Sequence, residues 1–275
     1  MPLVFVGAVS HGPGITGRAE RADPKQKANL DSAFDRLSRE LADSAPDVLI
    51  VVAAEHFANF FMNNMPAYAM GMADYYEGPI EDEEWLGIKR RRIPGDRKTS
   101  VELVSALLNH VDLAYSEEWK FDHGVMVPLH FLTPAFDLPV IPVNINCQGP
   151  PLTPCHRAYQ FGQYLGEVCA AHPRRIAIVA TGGLSHWPAT PDSGKINQTW
   201  DRDFLDKWTR NDAAALGDYD DSEVYAQAGQ GGFEIRTFIA AAGAAQDCKA
   251  EVYCYEPIPI FAVGCTVARF NLSSG

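Results

Sequence analysis

The sequence lacks the features that would direct it to a membrane, to nucleic acid or to secretion. No apolar run in its 275 residues approaches the length of about 20 residues that spans a bilayer. The first residues, Met1-Pro2-Leu3-Val4-Phe5-Val6, carry no basic region or cleavage site, so we expect a first strand there and not a signal peptide. Basic residues are outnumbered, and the net charge of −12 argues against nucleic acid or an anionic membrane as a partner.

Cysteine pairs and nucleotide-binding motifs are missing as well. The six cysteines contain no CxxC pair, and Cys169 and Cys265 lie in apolar patterns, so we expect buried thiols and not bridges or zinc ligands. A reducing cytoplasm is the simplest compartment for such a chain. Gly182-Gly183 resembles a phosphate-cradling turn, but no GxxxxGK[ST] or GxGxxG pattern surrounds it, and we expect no nucleotide site.

What is present is the composition of a globular enzyme, with 47% hydrophobic and 21% charged residues. Short β-rich runs alternate with helical patterns, which predicts an α/β fold with a central mixed β-sheet flanked by helices on both faces. We expect a single catalytic domain over residues 1–275. The patterns predict strands over residues 3–9, 47–54, 140–145, 176–180, 251–255 and 260–270, and helices over residues 30–41, 99–110, 157–169, 200–208 and 233–245.

Several local details of this fold can also be predicted. Thr99 or Ser100 is the candidate N-cap of the second helix. Pro142 suggests that its strand lies at a sheet edge or is irregular. The polar stretches 73–97 and 189–198 resemble loops over the sheet, and loops of that length often cover a site.

Four of the eight histidines are the best functional clue, and most of them follow closely behind an apolar run. They are His11, His56, His123 and His186. The exit of a strand is where an α/β sheet presents groups to a ligand. Imidazole is also the commonest metal ligand and the usual acid–base group near neutral pH. The four histidines therefore point to one site.

Two histidines and one carboxylate would leave three positions open on an octahedral metal, as in non-haem Fe(II) oxygenases. His11 and His56 each follow an apolar strand, so their strand ends could bring them together. Glu234 is the attractive carboxylate because it follows a glycine-rich turn and opens an apolar helix. Glu55 adjoins His56, but neighbours in a strand point to opposite faces, so both cannot easily bind one ion.

Simpler interpretations compete with these assignments. A lone histidine after a strand is more often a structural group than a ligand. The acidic run Glu81–Glu84 is interpreted as a solvated loop, and Arg90–Arg92 as a surface patch that could alternatively clamp an anionic substrate. A hydrolase built on Ser185-His186 has little support, because a catalytic pair needs spatial apposition and an orienting acid.

Several motifs occur in a recognisable order along the chain. They are Ser10-His11-Gly12-Pro13, Glu55-His56, Asp122-His123-Gly124 with Val127-Pro128-Leu129, Thr181-Gly182-Gly183-Leu184-Ser185-His186, Ile196-Asn197 with Asp201 to Asp206, and Glu234. Together they resemble the class III extradiol ring-cleavage dioxygenases, the family of the protocatechuate 4,5-dioxygenase β subunit. The C-terminal Tyr255-Glu256-Pro257-Ile258-Pro259 with Ala262-Val263-Gly264 looks closer to the dihydroxyphenylpropionate type, and the resemblance covers nearly the whole chain.

The resemblance implies a role for each matching residue. His11, His56 and Glu234 match the Fe(II) ligands of the family, His186 its catalytic base, and His123 its second active-site histidine. It implies a small aromatic diol, either catechol-type or hydroxypyridone-type, and O2 as substrates, with both oxygen atoms inserted into the product. We also expect a homo-oligomer. Asp122 is either an orienter of the site or a loop cap.

One departure bears on the substrate. Where the protocatechuate branch is expected to place polar donors for a ring carboxylate, this chain has the apolar stretch Ile258-Pro259-Ile260-Phe261. We therefore expect protocatechuate and gallate to be poor substrates, and a neutral catechol or a hydroxypyridone to be better ones. A metal-dependent hydrolase and a non-catalytic metal-binding homologue are the alternative functions.

Overall fold

The computed structural model of the protein describes residues 2–272. Its strands β1 to β10 are, in chain order, Leu3–Ser10, Val48–Ala53, Tyr68–Gly71, Tyr75–Gly78, Arg91–Pro94, Ala114–Ser116, Val140–Ile145, Ile176–Gly182, Ala250–Ile258 and Val263–Phe270. Its helices α1 to α10 are Gly14–Gly17, Pro24–Asp43, Glu83–Leu86, Arg97–Leu107, His123–Leu132, Cys155–Ala171, Gln198–Thr209, Ala213–Gly217, Asp221–Ala228 and Ile235–Ala244.

Eight of the strands form one mixed sheet in the order β6-β3-β7-β2-β8-β1-β10-β9. The four central strands β7, β2, β8 and β1 are parallel, whereas β10 and β9 add to one side in antiparallel orientation. On the other side, β3 runs antiparallel to β7, and β6 lies parallel to β3. The remaining strands, β4 and β5, form a separate pair. The mixed sheet predicted from the β-α alternation is confirmed.

Helices cover both faces of this sheet, as predicted. Successive residues of a strand point to opposite faces, so Val6 joins the apolar cluster that contains α6, α7 and α10, while Phe5 joins the cluster with α2 and α5. The central strands are buried on both sides, which explains their nearly continuous apolar sequences. Helix α10 lies so close to α6 that a Cβ on Gly162 would stand 2.0 Å from the carbonyl oxygen of Ala240.

Three local predictions were wrong. The N-cap of α4 is Asp96, whose carboxylate accepts the N–H of Thr99, so the helix begins before Thr99 and Ser100. Pro142 lies in the interior strand β7, so the sheet-edge alternative for this strand is the wrong one. The strand tolerates it because β3 ends at Gly71, the position that would pair with Pro142, so no ladder hydrogen bond is required there.

The third wrong prediction concerns residues 73–97, which contain β4, α3 and β5 and are not a bare loop. The cysteine prediction fits the structure, because all six cysteines are free and both Cys169 and Cys265 are buried. Within residues 2–272, none of the helices combines the length and apolar composition that crossing a bilayer requires.

Candidate metal centre and active site

The candidate site lies at the carboxyl ends of the adjacent strands β2, β8 and β1. His11 follows the last residue of β1, His56 comes three residues after β2, and His186 lies in the turn that follows β8. Parallel strands deliver the residues after their carboxyl ends to one edge of the sheet. This shared edge is what brings histidines from distant parts of the chain together, as the sequence predicted.

His11 offers its Nε2 atom to the site. Its Nδ1 lies 2.9 Å from the hydroxyl oxygen of Thr181, and that hydroxyl donates to the carbonyl oxygen of Gly124 at 2.6 Å. Because the hydroxyl proton is used, Nδ1 must carry the hydrogen, and Nε2 is left with a lone pair. The ring is buried, and burial lowers the pKa of His11, which favours the neutral form that binds metals.

His56 is held by Asp122 in the same way. One oxygen of Asp122 accepts both the backbone N–H of His56 at 2.8 Å and its Nδ1–H at 2.9 Å. The other oxygen accepts the N–H of Gly124 and caps α5, so Asp122 is both an orienter and a loop cap. Burial lowers the pKa of His56, but Asp122 and Glu234 outweigh that effect and raise it to about 10.

Glu234 lies at the centre of the cluster. It is the last residue of a 3-10 turn, Gly231–Glu234, that leads directly into α10, and it is buried. Its Oε1 is 3.1 Å from Nε2 of His56, and its Oε2 is 3.3 Å from Nε2 of His11. Burial opposes ionisation, but the surrounding histidines hold the pKa of Glu234 well below its usual range.

The donor set around Glu234 fits a divalent metal ion. Within the described residues, Oε2 of Glu234 is buried and has no hydrogen-bond partner of normal geometry. A buried carboxylate oxygen without a partner is costly, and a cation would satisfy it. Two imidazole nitrogens and a carboxylate are also the donors that first-row divalent metals prefer.

His123 lies beside this set, at the start of α5. Its ring stacks on that of His56 with 4.1 Å between centroids. His11, His56 and His123 each offer a ligand atom within 4.8 Å of the others, so these three could also hold a metal ion. Glu81 accepts both the backbone N–H of His123 at 2.9 Å and its Nδ1–H at 2.7 Å.

Glu81 is a residue that the sequence reasoning missed. The interpretation of Glu81–Glu84 as a solvated loop is wrong for Glu81, whose side chain is only 16% exposed. Residues 82–84 are exposed as expected, although Glu83 begins α3. Its pairing with His123 bridges 42 positions of sequence, and no local pattern signals it. Glu55, in contrast, faces away from the cluster as expected and accepts backbone N–H groups of residues 58, 59 and 60.

His186 presents a free ring nitrogen to the same space. Its Nδ1–H donates to the carbonyl oxygen of Leu184 at 2.9 Å, so Nε2 carries the lone pair, 3.8 Å from Oε2 of Glu234. A Cβ on Gly231 would stand 2.3 Å from the ring, so only glycine allows the turn to lie against it. The close packing of Gly231 against the imidazole fixes the position of the His186 ring.

The turn that carries His186 is anchored from behind by Asp201. Its carboxylate accepts the N–H of Ser185 at 2.8 Å and the O–H of Tyr255 at 2.6 Å. The hydroxyl of Ser185 accepts the N–H of Asn197. Burial raises the pKa of Asp201 to about 6. Ser185 is therefore a structural residue, and the Ser185-His186 hydrolase pair is not present.

A cavity of about 380 Å³ opens onto these residues. One wall is the apolar stretch Ile260, Phe261, Ala262 and Val263, and loop 189–198 contributes Ala189 and Ser193. The segment 73–97 contributes Trp85, so both predicted covering segments reach the cavity.

The arginines predicted as a possible clamp do not line this cavity. Arg90 donates to the carbonyl oxygen of Pro79, and Arg91 lies over the ring of Phe136. Arg92 stacks on an exposed tyrosine of β4. The cation that does line the cavity is Arg18, just after α1, and the sequence reasoning did not single it out.

Comparisons with known proteins agree with this geometry. The family described as the catalytic LigB subunit of aromatic ring-opening dioxygenase matches residues 6–266. The chain is 27% identical to a 2,3-dihydroxyphenylpropionate/2,3-dihydroxicinnamic acid 1,2-dioxygenase of Photorhabdus laumondii, with 93% of each chain covered. It is 28% identical to the protein of that name in Paraburkholderia xenovorans, covering 93% of this chain and 94% of the relative.

A solved structure shows the same fold. An uncharacterized protein from Escherichia coli K12 superposes with a TM-score of 0.55 at 14% identity, covering 87% of this chain and 91% of that one.

Proposed function

Because this chain belongs to the family of catalytic LigB subunits of aromatic ring-opening dioxygenases, we propose that His11, His56 and Glu234 hold Fe(II) for extradiol cleavage of a ring diol. The chain is an extradiol ring-cleaving dioxygenase, and the proposal concerns its metal, its residues and its substrate. The observation that carries it is the buried Oε2 of Glu234, unpartnered within residues 2–272 and facing the free Nε2 atom of His11. We also propose that residues 1–275 form one catalytic domain.

Glu234 is a better third ligand than His123. Its two oxygens contact Nε2 of both His11 and His56, and its charge offsets part of the charge of a divalent ion. Two histidines and one carboxylate leave positions open for substrate and O2. His123 is then available beside the metal as a substrate-facing group, with Glu81 fixing its ring so that Nε2 is the atom it offers.

Fe(II) held by these residues would bind both diol oxygens and carry electron density from the ring to O2. The protein's own part begins with His186, whose Nε2 lone pair faces the cavity and can accept a proton from a substrate hydroxyl. The carbonyl of Leu184 stabilises the proton on Nδ1 and keeps this tautomer. The apolar wall at Phe261 and Val263 limits water around the ring. The second hydroxyl proton of the diol can pass to Nε2 of His123, which can return it when the ring opens.

The shape of the cavity favours a ring without a directly attached carboxylate. Ile260 and Phe261 line the wall beside the substrate ring. Burying a carboxylate there without a hydrogen-bond donor would cost about several kcal/mol, as it does for buried charges in general. The names of the relatives, which specify 2,3-dihydroxy aromatic acids, support a vicinal diol. We propose a catechol-type or hydroxypyridone-type ring as the reacting group.

Iron content and oxygen uptake of matched variants test the proposal. His11→Ala and Glu234→Ala should lose Fe(II) after anaerobic reconstitution, whereas His186→Phe should keep the metal and lose about 10²–10⁴-fold in turnover. His110→Phe is the control, because His110 stacks on Tyr164 away from the cavity. Wild-type iron content in Glu234→Ala, together with loss of iron in a His123→Phe variant, would contradict the ligand set. Tightly bound zinc with no oxygen uptake on any diol would contradict Fe(II).

The setting of the enzyme is part of the same proposal. All six cysteines are free, which suits a reducing cytoplasm. We further propose a homo-oligomer, and light scattering of the purified protein at several concentrations tests it. A monomer mass at every concentration would contradict this part alone.

A further inference from the structure

We propose that Arg18 is an anion subsite at the mouth of the cavity, which binds a carboxylate that the ring substrate carries on a flexible side chain. The inference rests on the proposed function and adds a specificity-determining residue to it. No part of the reaction at the metal depends on Arg18.

The position of Arg18 is set by close backbone packing. Helix α1 is short, and its two glycines, Gly14 and Gly17, lie against two other walls of the cavity. A Cβ on Gly17 would stand 2.0 Å from the carbonyl oxygen of Trp85, and a Cβ on Gly14 would stand 2.8 Å from the Cα of Phe261. The segment is therefore held between α3 and the apolar wall, and Arg18 follows directly at the cavity rim.

The guanidinium of Arg18 has no partner within the described part of the chain. No carboxylate of residues 2–272 lies within ion-pair distance of it, and only the backbone of Arg18 makes hydrogen bonds: its N–H donates to Gly14 and its carbonyl oxygen accepts from Arg21. By contrast, Arg36, Arg97 and Arg269 each pair with a glutamate. An exposed arginine needs no partner for stability, but one at the rim of an active site offers five donors to a bound anion.

The charges and polarity around the substrate ring leave Arg18 to determine whether an anionic substrate binds. Arg18 is the sole arginine or lysine among the cavity-lining residues of the described chain. The protein as a whole carries a net charge of −12, so its long-range field repels an anionic substrate. The wall at Ile260 and Phe261 provides no donor for a carboxylate fixed on the ring. An anion on a flexible chain can leave that wall and reach the rim.

The specificity constants of matched substrates test the subsite. The probes are 3-(2,3-dihydroxyphenyl)propionate and its uncharged analogue 3-propylcatechol, assayed by oxygen uptake on the Fe(II)-reconstituted enzyme. Arg18→Gln should lower the ratio of kcat/KM for the acid to kcat/KM for the neutral diol by roughly 5- to 30-fold, the range expected for one charge-assisted contact in a partly exposed place. Arg18→Lys should recover part of that loss, because it keeps the charge but not the fork.

Arg21→Gln is the matched control. Arg21 is an exposed arginine three positions later that does not line the cavity, so its variant removes the same net charge without removing the subsite. A ratio in Arg18→Gln equal to that in Arg21→Gln would overturn the proposal. Raising the salt concentration should also raise the KM of the acid for the wild type relative to that for Arg18→Gln, because both proteins share the long-range repulsion that salt screens.

The outcomes separate this inference from the proposed function. If the wild type consumes oxygen with both probes and Arg18→Gln leaves their ratio unchanged, the subsite is wrong and the dioxygenase mechanism stands. If the reconstituted wild type consumes oxygen with neither probe nor with any other diol, the proposed function itself fails. Anaerobic calorimetry on the iron-loaded protein gives a second readout, since Arg18→Gln should weaken binding of the acid by the same factor.

Discussion

Replacing Asp122 by asparagine should damage the metal centre and the fold by different, separable amounts. Asp122 is buried, and its two oxygens have separate tasks. One accepts the backbone N–H and the Nδ1–H of His56, and the other accepts the N–H of Gly124 at the start of α5. Asparagine has one carbonyl oxygen, so in either orientation its NH2 group faces an N–H donor.

The expected magnitudes follow from these contacts. If the side-chain carbonyl of the new asparagine accepts from His56, the cap of α5 is lost and the N–H of Gly124 has no acceptor. This loss should lower the free energy of unfolding by about 1–3 kcal/mol. The contact to His56 survives without its charge. Since the partner of a metal-binding histidine sets its tautomer and basicity, the Kd for Fe(II) should rise about 10- to 100-fold. Urea unfolding measures the first effect, and anaerobic competition with a chelator measures the second.

Asp96→Asn provides the matched control, because Asp96 caps α4 through Thr99 at a distance from the cluster. It should lose stability of a similar order while its affinity for Fe(II) stays at the wild-type value. If Asp122→Asn also binds Fe(II) with wild-type affinity, then Asp122 acts only as a helix cap and the argument for its role at His56 is refuted.

Three further variants test other parts of the structure. Gly162→Ala should cost about 3 kcal/mol of unfolding free energy in a denaturant titration, because its Cβ would overlap the carbonyl of Ala240; an unchanged midpoint would show that α6 and α10 can separate freely. Burial raises the pKa of Asp201 from 3.8 to about 6, so the folded state favours the protonated form and the stability that this group contributes is lost as the pH rises from about 4 to 6. That loss amounts to roughly 3 kcal/mol and should be absent from Asp201→Asn, and identical pH profiles of the two proteins would count against it. Glu81→Gln should keep its iron and lose about 10-fold in kcat if Glu81 positions His123; a loss confined to stability would make the pair structural.

The sequence was most informative for residues whose position follows from a single strand or turn. Apolar runs predict strands, parallel strands share an exit edge, and His11 and His56 follow such runs directly, so their convergence could be anticipated. Glu234 was predicted in the same way, from a glycine-rich turn that leads into an apolar helix. These are local signals, and the fold converts each of them into a position at one edge of the sheet.

The residues that the sequence reasoning missed or misplaced depend on contacts between distant segments. Glu81 looks like any solvated acid until its partner His123 is placed against it. Arg18 reaches the cavity because Gly17 packs on α3, and nothing in its own neighbourhood predicts that contact. Pro142 was misjudged because its tolerance depends on where β3 ends, which is a property of the neighbouring strand.

The central position of β1 has a consequence for how the enzyme is made. Ser10, which precedes His11, donates to the carbonyl of Gly264 and accepts the N–H of Thr266 in β10, across 254 and 256 positions of sequence respectively. Contacts between residues so far apart in sequence form slowly, because closing the long loop between them costs entropy before the contact adds any stabilisation. A ribosome-bound nascent chain that still lacks β10 therefore cannot complete the environment of His11. If the folded site binds Fe(II) as proposed and the open chain does not, iron supplied after synthesis should stabilise the finished fold, and iron starvation should leave a larger unfolded population exposed to proteases.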